Sequence, residues 1–521
     1  MIKIRNYPEN RFSRLFVDFT RKQSYISTRF KNETELKHDE FLNKISINPN
    51  RKALIEIINQ TCKHIDLSES QRFNLEILNN QNTLAIVTGQ QIGFLGGPLY
   101  TILKLQSAVN LSKKLSENSD SWKFIPIFWI EDNDHDKLEA SKTHLFDFNN
   151  NIHTVQPEFT NDKTMCASVN YQNSIQENIK SIKEILQNFK CKDDIFEIID
   201  DCYFEGANWT YSFVKFLNYF FKNDGVLFVS ANNAINSGVF SHLINQEIQN
   251  YKSSYQIIKE SSEKLIENNY HQQVMPTELN LFYHKNNERH NFLNEIELHQ
   301  NIQNYALYSP KALLRPIFQD YLIPNAAYIA GPGEIAYFSQ IVELYKYFNV
   351  EMPVVLARHS AVFVNKKQQK LIQNDNLDAF YFEKENKQIE KEIAETYSDV
   401  EFNDLIEKSK ILQKEIFETI KTKLISYDKQ LSQTCDTALS KANEQIDFLQ
   451  KKSLTAIKRI NSEKIQKLIA TKNYLFPENN FQERFFTVAN FVAEFSFVEF
   501  KKMIEEICEQ DSNHFIEYYV D

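Results

Sequence analysis

Apolar and polar positions change period several times along the 521-residue chain, and each change marks an expected element. Leu84-Ala85-Ile86-Val87 is a short apolar run that stops at Thr88-Gly89, which reads as a buried strand. Over 98–115 the apolar residues Leu99, Ile102, Leu103, Leu105, Ala108, Val109 and Leu111 follow helical spacing, and Phe124-Ile125-Pro126-Ile127-Phe128-Trp129-Ile130 reads as a second buried strand. Strand, glycine turn, helix and strand make a βαβ unit of a doubly wound sheet. The plan recurs later: Ala327-Tyr328-Ile329-Ala330 leads into Gly331-Pro332-Gly333, a helical pattern runs over 334–348, and Pro353-Val354-Val355-Leu356 follows. Between the two units, Gly225-Val226-Leu227-Phe228-Val229-Ser230 reads as another strand, with helices expected near 172–190, 208–222 and 240–267.

The pattern changes again after Leu356. No glycine follows Gly333 and no proline lies between Pro353 and Pro477, so 354–476 lacks both principal helix breakers. Over 403–470 apolar residues recur at spacings of three and four (Leu405, Leu412, Ile416, Ile420, Leu424, then Ile446, Leu449, Ile457), with Lys and Glu on the other faces. This is the signature of long helices in a coiled coil. Its weakest stretch, Ser432 to Asn443, is the expected turn of a helical hairpin. The segment after Pro477, with Phe485, Phe486, Phe491, Phe495, Phe497 and Phe500, is expected to dock on a core. The expected organisation is therefore a Rossmann-like α/β core in two parts (1–150 and 306–375), a connecting segment at 151–305 that also gives a strand to the sheet, a coiled coil at 376–475, and a docking segment at 476–521.

Composition narrows the function. A net charge of −10 argues against a broad nucleic-acid or anionic-membrane surface, and no stretch approaches 18 consecutive apolar residues. A cytoplasmic protein acting on small molecules is expected, with no nucleic-acid or membrane partner. The six cysteines form no CxxC pair, which suits packing in a reducing compartment better than a disulfide framework or a zinc site.

Only nine glycines are present, against about 7% in an ordinary chain. A bias toward A/T-rich codons accounts for the low total but not for the placement of six of them in two clusters, Gly89, Gly93, Gly96 and Gly97 in the first and Gly331 and Gly333 in the second. Gly96-Gly97-Pro98 opens the first expected helix, where backbone N–H groups make an anion site, although a purely structural turn fits equally. Thr88, Gly89, Gln90, Gln91, Tyr100 and Lys104 surround it, with Lys104 two turns along the helix and expected to point away from the loop. Gly331-Pro332-Gly333-Glu334 repeats the logic, flanked by Arg315, Arg358 and His359 as partners for a carboxylate or phosphate. The second strand ends in Glu131-Asp132-Asn133-Asp134-His135-Asp136, where His135 suits a general base and Asp134 or Asp136 an ammonium or Mg²⁺; a solvated loop with a helix-capping Asp is the plainer alternative.

Taken together these blocks resemble the bacillithiol biosynthesis cysteine-adding enzyme family (BshC). The resemblance is carried by Val87-Thr88-Gly89-Gln90-Gln91 with Gly96-Gly97-Pro98-Leu99-Tyr100 and Lys104; Pro126-Ile127-Phe128-Trp129-Ile130 with Asp134-His135-Asp136; Leu314-Arg315-Pro316 with Gln319-Asp320; Ala327 to Tyr337; Met352-Pro353-Val354-Val355-Leu356; and Leu475-Phe476-Pro477 with Gln482-Glu483-Arg484. It implies a Rossmann-like core with inserted connecting segments, and a coiled coil that supports a homodimer. It also implies a ligase that joins the carboxyl group of cysteine to the amino group of glucosaminyl-malate in the last step of bacillithiol formation. Asn133 departs from the pattern, since relatives carry glutamate immediately before the Asp-His-Asp run, and Glu478-Asn479-Asn480 replaces a turn that commonly contains glycine.

On this resemblance Asp134, His135 and Asp136 are the expected catalytic residues, orienting the amine and accepting its proton. The two glycine loops, with Arg315 and Arg358, are the expected binding groups. Amide formation from a free carboxylate is unfavourable in water, so ATP and Mg²⁺ are expected for activation, with no tightly bound cofactor. Two other readings use the same residues: an ATP-dependent nucleotidyl or aminoacyl transferase acting on another amine, and a non-catalytic assembly protein built on the coiled coil. The substrate pocket is expected between Gly96-Gly97 and Gly331-Pro332-Gly333, not along the glycine-free coiled coil.

Overall fold

A computed structural model describes residues 1–159, 163–285, 288–291 and 305–520. The apolar run at Leu84 is the middle of a longer strand, β1 (Thr83–Gln91); it is joined by β2 (Lys123–Glu131), β3 (Leu227–Ser230), β4 (Asn325–Ala330) and β5 (Val354–Ala357). All five are parallel, in the spatial order β5-β4-β1-β2-β3. Their near-continuous apolar sequences follow from burial on both faces, as a parallel sheet requires. Pro126 is tolerated inside β2 because β3 pairs with that strand only from Ile127 onward.

The chain steps outward from β1 to β2 and β3, then returns to place β4 on the other side of β1. The strand order therefore reverses between β1 and β4, and in a doubly wound sheet the crevice outside the carboxyl ends of such a pair is where ligands bind. Four helices frame this edge: α1 (Tyr100–Glu117), α2 (Trp209–Phe221), α3 (Arg315–Leu322) and α4 (Pro332–Gln340). The single helix expected over 334–348 is two, because Ile341 leaves helical geometry (φ −114°, ψ 9°) before α5 (Val342–Tyr347). A helix at Lys192–Cys202 was not anticipated; its acidic first turn masks the helical spacing of Ile195, Ile198, Ile199 and Cys202.

The chain divides into two compact units, Met1–Asn365 with Phe481–Asp521, and Lys366–Asn480. In the first, β6 (Ser360–Val364) pairs in parallel with β7 (Phe515–Tyr519), whose other edge takes the N-terminal strand Ile2–Arg5 antiparallel. Phe486, Phe491 and Phe500 are fully buried there, whereas Phe495 and Phe497 are only partly covered.

In the second unit, α6 (Val400–Ile425) and α7 (Leu431–Ile460) form a helical hairpin, continued by α8 (Ser462–Leu475). The hairpin does not turn at Ser432 to Asn443, which lies inside α7. It turns just before, where Asp428 Oδ1 accepts the Gln430 N–H at 2.9 Å and offers the backbone an alternative to the helix. Leu405, Leu412, Ile416 and Ile420, the residues that signalled a coiled coil, are 45–59% exposed; only Ile406 of α6 is buried. They form an apolar stripe that this hairpin does not cover.

Candidate active site

The crevice between β1 and β4 is built around a buried ion pair. Lys104 Nζ lies 2.5 Å from Glu334 Oε2 and also donates to the Gly89 carbonyl at 2.8 Å and to Gln90 Oε1 at 3.2 Å. Side chains on a helix lean toward its N-terminus, so the long stem of Lys104 runs back toward the end of β1 instead of away from the loop. Glu334 also accepts from the Gly331 N–H at 2.6 Å and the Tyr328 hydroxyl at 2.8 Å. Burial pushes its carboxyl pKa up, but Lys104 and these two donors outweigh burial and hold it below the ordinary value. Burial also lowers the Lys104 pKa, against the pull of Glu334 and with help from Arg358 and Arg315.

Gly331 is closely packed against this pair. A Cβ there would stand 3.2 Å from Glu334 Oε2, which would have to shift by a few tenths of an ångström, and in ordinary contact with Arg358 Nε at 3.7 Å and Lys104 Cε at 3.8 Å. Pro332 opens α4, and Gly333 is exposed beside it; the N–H groups of the first helical turn have no intrahelical acceptor. Of this second cluster the Gly331 N–H is taken by Glu334, which leaves the Gly333 N–H as the donor at the exposed start of α4.

The first cluster does not. Gly96 and Gly97 adopt φ of +79° and +73°, and Gly96 packs so closely on α2 that a Cβ would meet Phe216 Cε1 at 2.8 Å. The donors expected to hold an anion are taken by the protein: Gly96 N–H by the Gly93 carbonyl, Gly97 N–H by that of Phe94, and Leu99 N–H by that of Phe486 at 2.8 Å. Pro98 lies in a β-bridge to Thr487, whose hydroxyl bonds the Leu95 carbonyl at 2.6 Å. Gly96, Gly97 and Pro98 form a structural turn, and the anion site expected of them is absent because its donors are spent. Thr88 is likewise structural, bonding the Ile329 carbonyl at 2.8 Å and tying β1 to β4.

The arginines are mostly matched. Arg315 donates to the Tyr337 hydroxyl at 2.6 Å and lies 3.7 Å from Glu131, whose other partner is the Trp129 indole at 3.1 Å. Arg358 is fully buried and spends itself on Glu483 at 2.6 Å, the His359 carbonyl and Ser360, which leaves it unable to meet a ligand. Its guanidinium lies over the Tyr100 ring, whose hydroxyl accepts from Gln90 Nε2 at 3.1 Å. Beside this pair stands Arg484, exposed, and without an ion-pair partner among the described residues; partial burial and the like charge of Arg358 lower its pKa. Arg484 sits in a block that marked the family but was not among the expected binding residues.

The Asp-His-Asp run separates into three roles. Asp134 is occupied: Oδ1 takes Arg289 Nη2 at 2.5 Å and the His135 N–H at 2.7 Å, while Oδ2 takes Gln91 Nε2 at 2.8 Å. These bonds outweigh burial and hold its carboxyl below the usual range. Asp136 caps the helix Lys137–Ser141 through the Glu139 N–H at 3.1 Å. Asp134 is thus held by these donors, whereas Asp136 stays exposed and uses one oxygen in its cap. His135 is also accessible, its side chain 43% exposed. Partial burial and Arg289 lower its pKa, against Asp134 and Asp136, so the ring is neutral at pH 7 and fit to accept a proton. Behind the run, Asp132 is buried and bonded to Ser230, Asn232 and Thr210, with its pKa raised by burial to about 6. Arg289 was not foreseen; it is 155 residues from Asp134 and belongs to no motif.

His359 faces away from the crevice. It lines a separate cavity of about 1050 Å³ with Ser107, Leu111, Val355 and Cys508, its Nδ1 2.8 Å from Ser107 Oγ and its Nε2 2.8 Å from the Gln510 carbonyl. Burial lowers its pKa to about 4. All six cysteines are free thiols, and five of them are buried. No described helix is long and apolar enough to cross a membrane.

Comparison with known proteins agrees with this architecture. Residues 2–359 match the family model described as bacillithiol biosynthesis BshC, N-terminal Rossmann-like domain, and residues 361–519 match bacillithiol biosynthesis BshC, C-terminal coiled-coil domain. Relatives named "Putative cysteine ligase BshC" include one from Flavobacterium psychrophilum, 29% identical with 91% of each chain covered, and one from Chlorobaculum tepidum, 28% identical over 94% of this chain and 93% of its own. Another, from Staphylococcus haemolyticus, is 27% identical over 86% of this chain and 87% of its own. The Rossmann-like sheet with its switch-point crevice, the coiled-coil hairpin and these matches along nearly the whole chain place it in the BshC family of bacillithiol biosynthesis.

Proposed function

We propose that this protein is the cysteine ligase that completes bacillithiol, forming an amide between the carboxyl group of cysteine and the amino group of glucosaminyl-malate in the cytoplasm. The observation that carries this reading is the imbalance of the crevice. Lys104, Arg315, Arg358 and Arg289 each have a carboxylate partner in Glu334, Glu131, Glu483 and Asp134, whereas Arg484, exposed next to Arg358 and Tyr100, has no ion-pair partner among the described residues. An unmatched guanidinium and helix N-terminal donors suit an anionic substrate such as a malyl carboxylate or a phosphate. A neutral imidazole such as His135 suits deprotonation of the substrate ammonium to the attacking amine.

In this mechanism the free amine attacks the carboxyl carbon of cysteine activated as an acyl phosphate or adenylate. His135 accepts the amine proton as the C–N bond forms and passes it to solvent, while the C–O bond to the activating group breaks and phosphate or AMP leaves with its electron pair. Arg484 and the N–H groups of α4 hold the negative charge of the substrate. ATP, when bound, supplies the activation of the carboxylate, and the same donors fit its phosphates. The protein groups do not by themselves make a Mg²⁺ site: Asp134 is taken by Arg289, Asp136 caps a helix through one oxygen, and no cluster of three or more His, Cys, Asp or Glu that could hold a metal occurs among the described residues.

The uncovered stripe of Leu405, Leu412, Ile416 and Ile420 supports self-association of the coiled coil into a homodimer. Thiol profiling of a strain lacking the protein tests the function. Accumulated glucosaminyl-malate with no bacillithiol, restored by the wild-type chain and not by His135→Ala, supports the reading. Normal bacillithiol in the deletion strain overturns it.

A further inference from the structure

Three segments meet at His135, and one of them carries a group that no catalytic motif contains. The loop at 132–136 is fixed to 166–167 through the Cys166 N–H on the Asp134 carbonyl and the Ala167 N–H on the Asp132 carbonyl, each at 2.8 Å. The stretch before it is bridged to the strand Glu288–His290 by the pairing of Thr164 with Glu288. Arg289 is thereby brought to the loop, 90% buried, with its guanidinium 4.2 Å from the centre of the Phe282 ring and bonded to Asp134 at 2.5 Å. Its Nη1 lies 3.4 Å from Asn133 Oδ1, and neither Arg289 Nε nor Asn133 Nδ2 has a partner among the described residues, although both are buried.

We propose that Arg289 is a positioning residue for His135: by binding Asp134 it cancels the carboxylate beside the imidazole, and so keeps that exposed ring an unprotonated acceptor. The inference rests on His135 being the proton acceptor of the proposed reaction. The geometry supports it independently. Asp134 Oδ1 is 3.4 Å from His135 Nδ1, close enough to draw a proton onto the ring were its charge not matched. The charged groups facing the ring are Asp134 and Asp136 from its own loop, Arg289 from the strand and Lys163 from the bridged stretch; the two cations lower its proton affinity and the two carboxylates raise it.

Asn133 belongs to the same device. Its neutral side chain accepts from Nη1 and leaves the charge of the guanidinium to be matched by Asp134. A glutamate at this position would stand against Arg289, compete for it and add a second negative charge beside the ring.

The test is the titration of the His135 imidazole by NMR in the full chain with labelled histidine, its signal identified by loss in His135→Gln. Arg289→Gln is expected to move the midpoint to higher pH, Arg289→Lys to leave it near the wild-type value, and Asn133→Glu to raise it with Arg289 still present. The acidic limb of the kcat/KM profile should move in the same order. An unchanged midpoint in both Arg289→Gln and Asn133→Glu overturns the inference, and the second variant decides the matter if the first does not fold. A midpoint that moves while turnover survives in His135→Ala upholds the role of Arg289 in setting the ring's charge but removes His135 from the chemistry, which separates failure of this inference from failure of the proposed mechanism.

Discussion

Lys104 Nζ lies 2.5 Å from Glu334 Oε2, so a charge carried by the helix after β1 is neutralised by one carried by the helix after β4. The two βαβ units of the sheet are joined across their switch point by this bond, and both ends of it are buried. Removing one partner strands the other. Lys104→Met is expected to destabilise the core by about 3–5 kcal/mol, and the double variant Lys104→Met/Glu334→Gln to recover part of that loss. Denaturant unfolding followed by tryptophan fluorescence reads this unit alone, because all three tryptophans, Trp122, Trp129 and Trp209, belong to it. Equal stability of Lys104→Met and wild type would show that the pair is not formed.

The two glycine clusters are expected to fail in different ways. Gly96→Ala forces a side chain into positive φ and against Phe216, at a cost of about 1–3 kcal/mol. Gly331→Ala keeps an ordinary φ of −80° and costs about 1 kcal/mol or less, yet it displaces the Glu334 carboxylate and should lower turnover at least tenfold. Thermal unfolding and turnover measured on the same preparations separate them. Full activity in Gly331→Ala would remove the second cluster from the site.

His359 makes stability depend on pH in a stated direction. Its pKa is about 4 in the fold, held down by burial, against about 6.5 when unfolded. The unfolded chain therefore binds the extra proton first. The contribution is fully present above pH 6.5 and is lost as pH falls toward 4, amounting to about 3 kcal/mol. His359→Gln should flatten the stability profile between those values, as measured by denaturant midpoints at successive pH. A profile as steep as that of the wild type would assign the dependence to other groups.

Self-association should depend on the uncovered stripe of α6. Leu412→Lys combined with Ile416→Lys is expected to convert a dimer to a monomer in light scattering without loss of helical circular dichroism, because both residues are more than half exposed in the single chain. A dimer that survives both charges uses another surface.

What the sequence disclosed follows the range of the interactions. Leu84–Val87 and Phe124–Ile130 were legible as strands because burial on both faces leaves an unbroken apolar run, and the Gly331 turn stood out in a chain with almost no glycine. Interactions between distant segments were not legible. Nothing in the sequence near Asp134 announces Arg289, and Arg358 reads as a free cation until Glu483 is placed beside it. Gly96-Gly97 misled for a related reason: a glycine turn before a helix looks the same whether its N–H groups await a ligand or are already bonded to Gly93, Phe94 and Phe486. The hairpin turn was misplaced because the polar stretch Ser432 to Asn443 reflects helix faces that need no burial, not an end of the helix.

The pairing of Arg358 with Glu483 has a consequence for how the protein is made. The guanidinium is sealed in the core, but the carboxylate that neutralises it arrives 125 residues later, after the whole of the intervening hairpin has been synthesised. Until then the nascent core carries an uncompensated charge just past the end of β5, and β6 lacks the β7 edge that completes it. The order of synthesis thus opposes early closure of the core. A ribosome-bound chain stopped before Glu483 should remain open to proteases that the released protein resists.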